Sequence, residues 1–75
     1  MHKLNRFWLR VGRLYLGLTQ VEMSKKLYVS QAMISSIESG SRDSESVRLL
    51  YTLALLELID DSDPMKETLK KARED

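Results

Sequence analysis

Seventy-five residues bound one small domain with a marginal core, and the absence of cysteine excludes a disulfide framework and a thiolate metal site. With His2 as the lone histidine there is no conventional catalytic base, no apolar run nears the roughly 18 residues of a membrane span, and Arg6, Arg10 and Arg13 interrupt the apolar N-terminus, unlike a signal peptide. A non-catalytic, cytoplasmic chain without cofactor or metal is expected. The net charge of +1 hides an asymmetry, because residues 1–42 sum to +5 and residues 43–75 to −4, so one end is suited to phosphates and the other is not.

Leu4, Phe7, Trp8, Val11, Leu14, Tyr15 and Leu18 recur at three- and four-residue steps, which predicts a first helix with these residues as its core side. Lys3, Arg6, Arg10 and Arg13 form a second stripe, solvated or phosphate-facing. Gly12 costs ~1 kcal/mol relative to Ala inside a helix, which leaves two readings: packing elsewhere compensates, or another backbone comes close. Gly17 is a plausible end for this helix.

Next come two short helices joined by a tight turn. Thr19 and Glu22 spell the T-x-x-E capping box, Met23 and Leu27 point one way with small Ser24 between them, and the helix stops near Tyr28. Ser30 caps the following helix, Ile34 and Ile37 give it an apolar face, and Gly40 supplies the left-handed position that ends it. Two such helices make a helix-turn-helix.

After a polar loop with cap candidates Asp43 and Ser44, residues 47–59 are apolar nearly all the way round. A helix of that kind needs two burial partners. One is the domain core, and the other is expected to be a second copy, the alternative being a last helix packed over it. The interface would hold Leu49, Leu55, Leu56 and Ile59, with Met65 and Leu69 joining from that last helix, which Asp63-Pro64 starts and which ends at about Arg73. The dimerisation surface thus lies within residues 47–72 of one domain spanning 1–75. Asp60, Asp61 and Asp63 lack the glycine and terminal glutamate of a calcium loop and read as caps.

The run L-T-Q-x-E-M-S-x-K-L-x-V-S-Q-x-x-I-S-x-I-E-x-G-x-R, with Arg13 before it, resembles the phage-repressor (Cro/repressor-like) helix-turn-helix family over about Leu4 to Ile59. The resemblance implies an all-α, five-helix, lambda-repressor-like fold with the motif at helices 2 and 3. It implies binding to double-stranded DNA, with the second motif helix in the major groove. Carried over position by position, Gln31, Ala32, Met33, Ser35 and Ser36 face base edges. Gln31 is the best reader, since its amide matches both edge groups of adenine. Thr19, Gln20, Ser30, Ser39, Ser41 and Arg42 face phosphates, while Arg13 pairs with Glu38 as a structural tie between the first and third helices and is no DNA contact. Two departures stand out. The family favours Gly where Tyr28 stands, at positive φ, so the turn is expected to differ locally. Asn and a basic residue are usual where Ser39 and Ser41 stand, which weakens that clamp.

By resemblance the chain is a homodimeric regulator of its own operon, a repressor first. It is similar to restriction-modification controllers, small phage regulators, antitoxin DNA-binding domains and regulators of anti-CRISPR operons. RNA polymerase or a toxin-like protein is a further partner consistent with that resemblance. The rival reading is a protein-interaction module that keeps the fold, since no Lys or Arg sits on the second motif helix.

Overall fold

Each helix starts on a side chain that accepts one of its unpaired N–H groups. The computed structural model describes residues 2–73, and within them five helices follow one another: α1 (Arg6–Tyr15), α2 (Gln20–Leu27), α3 (Gln31–Ser39), α4 (Glu45–Leu58) and α5 (Pro64–Ala72). The Asn5 side chain accepts from Trp8 N–H, the Ser30 hydroxyl from Met33 N–H and the Ser44 hydroxyl from Val47 N–H. Thr19 and Glu22 close the reciprocal capping box of α2, and Asp63 caps α5 ahead of Pro64. Such caps are worth about 1 kcal/mol each. Gly17 and Gly40, both at positive φ, end α1 and α3.

The α2–α3 turn keeps the left-handed geometry that the tyrosine was expected to disturb. Tyr28 itself adopts φ 57° and ψ 39° as the C-cap of α2, with its ring almost wholly in solvent. The left-handed backbone is retained at the expense of local strain.

The core is built from Leu9, Met23, Ile34, Ile37, Tyr51 and Leu55, closed by Leu69 of α5. On α1 the expected face holds for Trp8, and for Leu4 and Leu18 beyond the helix ends, which lie in or against the core, and is corrected elsewhere. Leu9, Gly12 and Arg13 are buried, whereas Phe7, Leu14 and Tyr15 are exposed. The reason is the crossing with α4: a Cβ on Gly12 would stand 2.7 Å from Leu55 Cδ1, so α1 turns its smallest surface toward α4. What comes close at Gly12 is therefore a side chain and not another backbone. Leu4 is buried but precedes the helix, its N–H donating to the buried Thr52 hydroxyl at 3.0 Å, which in turn donates to the Arg48 carbonyl.

On α4, Leu55 and Leu56, with Ile59 just after it and Leu69 on α5, belong to the chain's own core. These four were expected at a dimer interface, and the correction is physical: a side chain already enclosed within one chain has no surface left for another. Leu49 and Met65 are half-buried. The outer stripe that remains is Leu50, Leu53 and Leu58, all exposed. Among the described residues no helix is long and apolar enough to cross a membrane, and no group of three or more His, Cys, Asp or Glu is placed to hold a metal.

Candidate nucleic-acid interface

The first turns of α2 and α3 and the loop after α3 carry the residues singled out in the sequence. At the start of α3, Gln31, Ala32 and Ser35 are exposed, and Ile34 and Ile37 anchor the opposite face in the core. That alternation follows from the helical period and leaves one side of α3 free along its length. Met33 and Ser36 differ from their neighbours: Met33 is partly buried against the core, and Ser36 is half-buried. Their place on the base-reading face is thus the weaker part of the expected set.

Ser30 and Thr19 are both engaged as caps. Gln20 is the first residue of α2, and its side-chain amide donates to Glu38 Oε1 at 3.2 Å. This accounts for one amide hydrogen. The residue expected to hold a phosphate is therefore fixed in place from inside the protein.

Glu38 is the hub of that arrangement. Arg13 Nε and Nη2 donate to its two oxygens at 2.7 and 2.8 Å, in a planar two-pronged pair, and the Tyr51 hydroxyl donates at 2.5 Å. Arg13 also reaches the Leu18 carbonyl at 2.8 Å, closing the α1–α2 connection. Burial raises the Glu38 pKa, but the hydrogen bonds from Arg13, Tyr51 and Gln20 outweigh it, so the carboxyl lies below its ordinary value. Its bond to Arg13 holds the guanidinium charged, against the opposing effect of burial. Burial first, then the bond to Glu38, pushes the Tyr51 phenol well above its usual range. Among the described residues, no buried side-chain nitrogen or oxygen lacks a hydrogen-bond partner. Tyr51 was missed in the sequence, although a phenol within a leucine-rich helix signals a buried acceptor.

Directly after Glu38, at the C-terminal end of α3, the Ser39 hydroxyl donates to the Ser36 carbonyl at 3.2 Å and accepts from Ser41 N–H at 3.3 Å. Arg42 is exposed and donates its backbone N–H to the Ser36 carbonyl. Across from it lies Arg6 of α1, whose Nη1 donates to the Ser39 carbonyl at 3.3 Å. The structure thus gathers Gln20 and Arg13 on Glu38 in the last turn of α3, with Ser39, Ser41 and Arg42 directly after it, while Gln31, Ala32 and Ser35 lie exposed toward the start of the helix.

A family model described as helix-turn-helix matches residues 9–55, which run from within α1 through most of α4. Comparisons with curated proteins and with solved structures give no match. The matched span covers the whole of α2, its turn and α3, together with the Arg13–Glu38 pair, and the chain belongs to the Cro/repressor-like helix-turn-helix family.

Proposed function

We propose that this protein is a sequence-specific, double-stranded-DNA-binding transcription regulator that acts as a homodimer on a palindromic operator and represses its own operon. The observation that carries the reading is the exposed side of α3, with Gln31, Ala32 and Ser35 along it and Gln20 held at its flank by Glu38. In this arrangement Gln31 reads a base edge in the major groove, while Gln20, Thr19 and Arg42 take backbone phosphates that set the register. With no Lys or Arg on α3, bidentate guanine readout is absent, and DNA shape and half-site spacing supply part of the specificity.

Size supports the second copy. One chain extends 32 × 25 × 17 Å and carries a single α3, whereas successive major grooves on one face of DNA lie about 34 Å apart. The outer stripe of α4 supports it as well. Leu50, Leu53 and Leu58 line an apolar groove with Tyr28, and Lys26 and Glu57 also line it. Both signs in one patch suit a two-fold contact, in which each copy presents a cation to the other's carboxylate.

The test is fluorescence-anisotropy binding to a duplex from the gene's own upstream region and to a scrambled duplex, across a salt series. Tight binding to the first alone, lost in Gln20→Ala/Gln31→Ala, is the expected result. Equal weak binding to both sinks the specific-repressor reading, and the apolar groove then becomes the place to seek a protein partner.

A further inference from the structure

Beside the end of α3 lies a cleft lined by Arg6, Arg42 and Arg48, together with Ile37, Gly40 and one carboxylate, Asp43. Asp43 is engaged, since its Oδ1 accepts from Arg48 Nη1 at 3.3 Å. Arg48 and Asp43 pair with each other, so the cleft's remaining cations are the guanidinium groups of Arg6 and Arg42. Among the described residues the Arg42 side chain has no partner, and Arg6 uses one N–H on the Ser39 carbonyl. A guanidinium offers five donors, so most of the donor capacity of Arg6 and Arg42 is unspent.

The placement of Arg6 is specific. Its guanidinium occupies the space over Gly40 where a Cβ would stand 1.6 Å from Nη1, so the glycine is what admits it. There it covers the carbonyl end of α3, whose partial negative charge would otherwise repel an anion. An arginine of α1 thereby converts an anion-repelling helix end into the wall of a cationic cleft.

We propose that this cleft binds a phosphate group, with Arg6 and Arg42 as its two donors, and that the phosphate is one of the DNA backbone, so that α1 adds a grip beyond the helix-turn-helix itself. The assignment to DNA rests on the function proposed above, and the cleft's position beside Ser39, Ser41 and Arg42 supports it. Arg48 is a positioning residue, because it bonds Asp43 and the Leu4 carbonyl and so restrains the carboxylate.

Arg6→Gln and Arg6→Lys are compared with the wild type by anisotropy on the upstream and scrambled duplexes over ~50–200 mM salt. Arg6→Gln is expected to weaken both duplexes by the same factor and to reduce the salt slope by about 1. Arg6→Lys keeps the charge and loses the planar fork, so it should retain most of the slope. In a second arm, inorganic phosphate is titrated while the backbone amide signals of Gly40, Ser41 and Arg42 are followed by NMR in the wild type and in Arg6→Gln. Saturable shifts in the wild type alone establish a phosphate site. With an unchanged DNA slope, they assign it to free phosphate and overturn the DNA grip. An unchanged slope and no phosphate-dependent shift, in variants whose circular dichroism melts match the wild type, overturn the site altogether. Should the wild type bind neither duplex, the DNA-binding reading fails separately and the phosphate arm alone decides the cleft.

Discussion

Glu38 gathers four donors onto one carboxylate: two from Arg13, one from Tyr51 and one from Gln20. Both members of the Arg13–Glu38 pair are buried, so removing one strands a charge away from water. Glu38→Gln puts an amide N–H₂ opposite these donors and is expected to destabilise the fold by about 3 kcal/mol, read from a denaturant titration. The sign with pH follows from the lowered pKa. The unfolded carboxyl takes up its proton at a higher pH than the folded one, so the contribution is fully present above the ordinary glutamate range. It is lost as pH falls from about 4.5 through the depressed folded value. Part of the acid loss should vanish in Glu38→Gln; Glu22, Asp60 and Asp61, also lowered but exposed, supply the rest. Identical acid limbs in the two proteins would show that Glu38 titrates alike folded and unfolded.

At the scale of elements, the α2–α3 turn holds a conflict between residue and backbone. Tyr28 at φ 57° accepts a conformation that costs an L-residue about 1–2 kcal/mol. Tyr28→Gly should therefore stabilise the monomeric fold by about 0.5–1 kcal/mol once the extra unfolded-state freedom of glycine is subtracted. For a domain of this size that is a Tm rise of about 2–8 °C. A lowered Tm in dilute solution would mean that the ring contributes more than its backbone loses. The same elements show what sequence could and could not disclose. All five helices were legible because caps and helix-ending glycines are local: Thr19 with Glu22, Ser30, Gly40 and Asp63-Pro64 each act within a turn of their own position. The Arg13–Glu38 tie came through resemblance to the family. The buried side of α1 was legible only in part: Trp8 was placed correctly, but the helix carries apolar residues on more than one stripe, and the burial of Leu9 and Gly12 was decided by Leu55, 43 positions beyond Gly12. On α4, periodicity was silent for the opposite reason. Apolar residues surround the helix, so nothing local separates Leu55, which fills the core, from Leu53, which faces out.

For the whole molecule, that last distinction carries the proposed dimer. Leu53 is 40% exposed and lies between Leu50 and Leu58 on the outer stripe, while Leu55 and Leu56 are spent inside. A charge at position 53 meets water in the monomer and an apolar surface in the proposed dimer. Leu53→Glu should consequently leave the helical circular dichroism signal and the melt nearly unchanged. In light scattering, the mass should fall from twice the 8.7 kDa of one chain to a single copy. Losing the second copy removes the second half-site from each binding event. The variant should then need a much higher concentration for the upstream duplex, while its salt slope per chain stays that of the wild type, because the residues proposed to take phosphates lie elsewhere. A variant that remains dimeric would move the two-fold contact to another surface. A wild type that is monomeric at every concentration tested would remove the homodimer from the proposed function and leave Tyr28, Leu50, Leu53 and Leu58 to a partner of another kind.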